Sequence, residues 1–141
     1  MDIDQLIEIL HRDQCSCVVA NGNDITCYHR RGVADLLSML HNEPGKLVGA
    51  MIADKVIGKG AAALMVLGGI RQAYADVIST PALELLKRAS IVVTYGTVVS
   101  NIINRLGTGI CPVEQLCAPC ATAAECLPLI EQFISEQQTK Q

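Results

Sequence analysis

Two stretches of this sequence hold residue types at spacings that could do chemistry. The first is Cys111-x5-Cys117-x2-Cys120-x5-Cys126. Four thiolates so spaced could converge on zinc or an iron–sulfur cluster, and Cys117 with Cys120 has the separation of a ligand pair or a redox pair. The symmetric five-two-five pattern matches no standard finger or ferredoxin signature. Packed structural thiols and a reversible Cys117–Cys120 disulfide therefore stay open beside a bound metal. Glu114 stands three residues beyond Cys111, and Pro112 suits the first turn of a short helix there.

The second stretch is the turn expected over Asp54 to Gly60. It follows an apolar run and opens a helix, where free N–H groups and the helix dipole favour an anion. Lys59 adds positive charge, and Gly58 and Gly60 would let a ligand approach the backbone. Gly58-Lys59-Gly60 is no phosphate-binding Walker loop, because the long glycine loop and the following Ser or Thr are missing. Asp54 is the natural general base if a reaction occurs here. The plain alternative is a strand-to-helix turn whose glycines serve geometry and packing. We expect Gly58, Lys59 and Gly60 to bind a small anionic or nucleotide-like ligand, with Lys59, Cys111 and Glu114 approaching one cleft. Tyr95, Asn101, Asn104 and Arg105 could line the same edge.

These residues need elements to position them. Asp2 with Gln5 has a capping-box spacing, and Ile3, Leu6, Ile7 and Leu10 form one helical stripe. Residues 15–20 and 24–28 read as two strands joined by a tight turn at Asn21-Gly22. Val33, Leu36, Leu37 and Leu40 define a second helix, stopped before Pro44-Gly45. Leu47 to Ala53 reads as a central strand, Ala61 to Leu67 as a closely packed helix, and Tyr74 to Ile78 as a further strand. Thr80 is expected to cap a helix opened by Pro81, and Ile91 to Tyr95 is a fifth strand. Val98 to Leu106 fits either strand or helix. Residues 121–134 read as helical around Pro128, and the polar end, 135–141, as frayed. The whole is one domain over 1–141: an α/β three-layer sandwich with a mixed sheet and a cysteine-rich C-terminal helical extension from 107.

That order resembles an uncharacterised family, domain of unknown function 1893. The resemblance rests on the pieces Ala53-Asp54-Lys55-Val56-Ile57-Gly58-Lys59-Gly60-Ala61-Ala62, Ser79-Thr80-Pro81-Ala82-Leu83 and Cys111-Pro112-Val113-Glu114. The family is assigned by fold to the cytidine-deaminase-like superfamily, so the resemblance implies that fold. A zinc deaminase needs His or Cys with Glu at one helix start and Pro-Cys-x-x-Cys at the next. Carried onto this chain, those sets fall near Lys59 to Ala62 and Ser79 to Leu83, and neither holds a His, Cys or Glu. None of His11, His29 and His41 stands in an H-x-E arrangement. The resemblance supports the fold and argues against orthodox zinc deamination.

Composition narrows the classes further. Eleven basic against fourteen acidic side chains leave a net charge of −3, with no basic tract, so no nucleic-acid partner is expected. Three tyrosines, one phenylalanine and no tryptophan leave little for base stacking. The apolar stretch 60–70 is too short to span a bilayer, and no export leader is expected at the start. Seven cysteines then read as cytoplasmic thiols, with Cys15, Cys17 and Cys27 as small buried hydrophobes. Two other classes remain: a cysteine-based metal or redox module, and an interaction protein using Ala61–Leu67 and Val98–Ile103 to associate with its own copies.

Overall fold

The computed structural model describes residues 2–30, 33–104 and 106–139. Helix α1 (Ile3–Arg12) opens on the expected capping box, with the Asp2 side chain accepting from Gln5 N–H and the Gln5 side chain returning the bond. The hairpin β1 (Cys17–Asn21) and β2 (Asp24–Tyr28) follows. Its two-residue turn is Gly22-Asn23, one position later than the expected Asn21-Gly22, because Asn21 pairs with Asp24 as the last rung. Only Gly22 takes positive φ there, at 60°, as the first central position of a II′ turn requires. The Asn21 amide instead donates to the carbonyls of Gly45, Lys46 and Val48.

Helix α2 (Ala34–Asn42) leads through a 3-10 turn at Pro44–Lys46 to β3 (Met51–Ile57). The expected strand at Leu47 to Ala53 is displaced toward the C-terminus, since Gly49 takes a left-handed φ of 73° and breaks the extended backbone. Asp54 thus lies inside β3 and not in a turn. Then come α3 (Lys59–Gly68), β4 (Gln72–Ser79), α4 (Thr80–Arg88) and β5 (Val92–Val99). Ser79 is the cap of α4, its hydroxyl accepting from Ala82 N–H; Thr80 is the first helical residue. Of the ambiguous segment 98–106, Val98 and Val99 belong to β5. Ile103 pairs only in an isolated bridge with Ile110, so no helix forms there.

The sheet order is β2-β1-β3-β4-β5, with β1 antiparallel to both neighbours and β3, β4 and β5 parallel. Helix α1 covers one face, burying Leu6 and Leu10 against Val18, Ala20, Met51 and Ala53. The other helices cover the second face, with α3 at their centre against α2, α4, α5 (Pro112–Cys117) and α6 (Ala123–Thr139). Eight of the ten residues of α3 are buried, so it needs small side chains all round rather than one apolar stripe. Gly68 shows the tolerance: a Cβ there would lie 2.7 Å from Leu47 Cδ1. Pro128 sits within α6, which continues to Thr139; residues 140 and 141 of the expected frayed end lie outside the described residues. The edge strand β5 is exposed along most of its length and carries no charged side chain.

Candidate functional site

The three parallel strands end on one edge, where α3 and α4 begin. Glu114 arrives there from α5, itself only 2 % exposed. Its Oε1 accepts from Lys59 N–H at 2.8 Å and from the Ser79 hydroxyl at 3.1 Å, and its Oε2 accepts from Ile102 N–H at 2.5 Å. Lys59 is also buried. Its Nζ donates to the carbonyls of Ala118 (3.1 Å) and Cys120 (2.6 Å), closing the turn that follows α5. Gly58 lets this happen, since a Cβ there would meet Ile102 Cγ1 at 3.2 Å and the Glu114 oxygens at 3.5 and 3.6 Å.

Lys59 and Glu114 therefore meet as expected, and Cys111, the half-buried N-cap of α5, joins them through that helix. The cleft they were expected to line is filled by their own contacts. The helix-start N–H, the ammonium and the hydroxyl each have a partner from this chain. Asn104 closes a turn with Thr108, Tyr95 lies half-exposed on β5, and Arg105 lies outside the described residues. The zinc of an orthodox deaminase, argued against from the sequence, does not fit here. Lys59 to Ala62 and Ser79 to Leu83 offer no His, Cys or carboxylate. The one carboxylate present, Glu114, spends both oxygens on N–H and O–H donors.

The C-terminal thiols form a second group. Cys117, Cys120 and Cys126 are buried, and the Cys126 thiol donates to the Thr122 carbonyl at 3.5 Å. Desolvation pushes the Cys126 thiol far up, with the neighbouring thiols adding to it, and desolvation raises Cys117 too. Thiols held neutral in this way are poor nucleophiles and pack as small hydrophobes.

Asp54 pairs across the sheet with Cys17. Burial pushes its carboxyl up to about 7, against the opposing N–H groups of Val56 and Lys55, with a further push from Asp76. A carboxyl with a folded value above the ordinary 3.8 binds more protons folded than unfolded. Stability is then complete below about pH 4 and is lost as pH rises toward 7, by about 4 kcal/mol for a fully desolvated group. Partial contact with solvent reduces this to roughly half. Asp54→Asn is expected to remove that slope and to be about 2 kcal/mol more stable than the parent near neutral pH. Urea midpoints that shift in parallel for both proteins between about pH 4 and 7 would refute a desolvated Asp54.

A third group lies where α1 meets the hairpin. Asp13 is the C-cap of α1, and Gln14 takes a left-handed φ of 52°, turning the chain back so that Cys15 N–H reaches Leu10 O at 3.1 Å. Ser16 N–H and Oγ both bond Tyr28 O, at 2.8 and 2.9 Å, and Ser16 O accepts from Lys55 N–H at 3.0 Å. These bonds strap residues 13–16 between helix, hairpin and β3. One carboxylate oxygen of Asp13 and the sulfurs of Cys15 and Cys27 then all lie within 4.8 Å of one another. Ligands on one tetrahedral metal stand roughly 3.4–3.8 Å apart, so small side-chain rotations close the set.

Among the described residues this is the only group of three or more metal-ligand atoms so gathered; the cysteines from 111 to 126 do not make one. Arg12 donates to both Asp13 oxygens, at 3.0 and 3.2 Å, and holds that carboxyl below its usual range. Desolvation pushes the Cys15 thiol up to about 11, with the Cys27 hydrogen bond and charge and the Asp13 charge adding, and Lys55 opposing. Cys15 and Cys17 are buried as expected, but Cys27 is exposed, contrary to its reading as a packed hydrophobe. The expected Asn21-Gly22 turn would have paired Cys27 with Ser16, whereas the observed Gly22-Asn23 turn pairs it with Val18, so the sequence reading did not place Cys27 correctly.

The family described as Domain of unknown function (DUF1893) matches residues 5–134. A crystal structure of a DUF1893 family protein from Thermotoga maritima is similar with a TM-score of 0.84 and 22% identity, covering 92% of this chain and 88% of that one. No curated protein matches the sequence significantly. Among the described residues no helix is long and apolar enough to cross a membrane.

Proposed function

The chain belongs to the DUF1893 family, whose name assigns no chemistry, and we propose that it is a thiol-based metal-binding module with its centre at Asp13, Cys15 and Cys27. The observation that carries this reading is the convergence of two sulfurs and one carboxylate oxygen within 4.8 Å. Two thiolates with a carboxylate make a soft donor set, suited to a divalent ion of the zinc class rather than to calcium or magnesium. We read the scaffold as a cytidine-deaminase-like sandwich, supported by a leading antiparallel hairpin beside parallel strands in the order β2-β1-β3-β4-β5. On this reading the scaffold's usual catalytic edge is closed by Glu114 and Lys59, and metal chemistry sits at the hairpin. Seven free thiols, two of them in the metal set, suit a reducing compartment, so we place the protein in the cytoplasm.

Metal content of anaerobically purified protein tests the reading. We expect about one equivalent of zinc, lost in Cys15→Ser and Cys27→Ser and retained in Cys117→Ser and Cys126→Ser. Protein that takes up no zinc, or whose zinc follows the C-terminal cysteines, would refute it.

A further inference from the structure

We propose that Cys15 and Cys27 are also a dithiol–disulfide couple, so that two-electron oxidation by a peroxide joins them and expels the metal. The loss of the ion rests on the reading of Asp13, Cys15 and Cys27 as a metal set. The bond itself needs only the two sulfurs.

The fold already holds these sulfurs close. They lie within 4.8 Å of one another, and a disulfide needs them about 2.05 Å apart. Side-chain rotation is the movement such a gap calls for, since both backbones are fixed. Cys15 N–H is tied to Leu10 O, Ser16 is tied twice to Tyr28 O, and Cys27 sits on the ladder opposite Val18. Exposure then gives the two thiols different parts. Cys27 is exposed, whereas Cys15 is 0 % exposed, so an oxidant arriving from solvent meets Cys27 first. Redox-sensing cysteines combine this kind of access with a neighbouring thiol that resolves the first product. The C-terminal thiols lack that division, because Cys117, Cys120 and Cys126 are all buried.

The chemistry runs in two steps. The Cys27 sulfur attacks one oxygen of hydrogen peroxide, the O–O bond breaks, and Cys27 becomes a sulfenic acid as the first water leaves. The Cys15 sulfur then attacks the Cys27 sulfur, the S–S bond forms, and the S–O bond breaks to release a second water. In sum, a zinc dithiolate, one peroxide and two protons give one disulfide, one zinc ion and two waters. The two electrons pass from the sulfurs to the peroxide oxygens. A disulfide offers the metal no thiolate, and the Asp13 carboxylate that remains is already gripped by Arg12. Strand β2 pairs only with β1, so the metal clamp on this edge strand is exchanged for a covalent one.

Treating the zinc-loaded full chain with hydrogen peroxide tests this, with a chromogenic chelator reading free zinc and peptide mapping reading the thiols. We expect a Cys15–Cys27 bridge, a mass lower by two hydrogens, and release of about one equivalent of zinc. Dithiothreitol should restore both the dithiol and zinc uptake, and Cys117, Cys120 and Cys126 should stay reduced throughout. Cys15→Ser should stop at a Cys27 sulfenic acid trapped by dimedone, an adduct that a mere packing role for Cys15 would not produce. The wild-type map decides the point if that variant folds poorly. Zinc-loaded protein that forms no Cys15–Cys27 bridge, or that bridges its C-terminal thiols instead, would overturn the couple while keeping the metal centre. A Cys15–Cys27 bridge in protein that takes up no zinc would support the couple and overturn the metal reading.

Discussion

Replacing Glu114 by alanine is expected to cost about 3–5 kcal/mol, a large share of the stability of a domain this size. The side chain is buried and accepts from Lys59 N–H, the Ser79 hydroxyl and Ile102 N–H. Each donor left without a partner costs about 1–3 kcal/mol, with water entering the vacated space as partial compensation. The loss does not end at the three bonds. Glu114 fastens α5 to the starts of α3 and α4, and Lys59 fastens the end of α5 through the carbonyls of Ala118 and Cys120. The two side chains form one clasp, and releasing either half frees the other. Glu114→Gln keeps the shape but turns an amide N–H₂ toward N–H donors, so we expect roughly half the cost. A thermal midpoint about 10–15 °C lower for Glu114→Ala is the corresponding shift. A variant melting within a few degrees of the parent would show that α5 is held by apolar packing alone.

Gly60→Ala is the second large effect, and it runs against helix propensity. Alanine at this helical position should gain about 1 kcal/mol over glycine. A Cβ there, however, would lie 2.3 Å from Val113 Cγ1, with Ile130 Cδ1 at 3.5 Å and Cys117 Sγ at 3.7 Å. Carbon atoms in contact rest about 3.5–4.0 Å apart, so Val113 or the whole of α5 must move. Overpacking of this kind costs about 1–3 kcal/mol beyond the propensity gain, and the Glu114 clasp resists the movement. Val113→Ala removes the methyl group that collides. The double variant should therefore be more stable than the sum of the single losses predicts, by about 1 kcal/mol or more. Urea denaturation of the four proteins measures the coupling directly. Additive losses would show that α5 relaxes freely over Gly60.

The order of elements was readable from residues alone because it depends on local chemistry. The Asp2–Gln5 capping box, Gly22 in the hairpin turn, and Pro81 in the first turn of α4 act within a few positions of themselves. Alternation and helical stripes supplied the rest, including the mixed sheet. Boundaries slipped where a distant partner decided them. β3 starts at Met51 because Gly49 turns the chain, and Leu47 is spent against Gly68 rather than in the strand.

The candidate sites divide along the same line. Lys59, Cys111 and Glu114 were legible as residues approaching one cleft near a helix start, since each sits in a short motif. Their saturation was not legible, because the carbonyls that take the ammonium lie about sixty positions away. The cysteines at 111–126 drew attention through their even spacing. Yet spacing along a chain does not measure distance between sulfurs, and burial left Cys117 and Cys126 as protonated packing groups. Cys15 and Cys27 carried no motif at all. A left-handed turn at Gln14 and the hairpin register bring them to Asp13, twelve residues apart in sequence and within one coordination sphere in space. The sequence by itself determined the layers and the residue types available for chemistry; only the tertiary structure decided which of them meet, because contact between distant residues follows from how the elements pack.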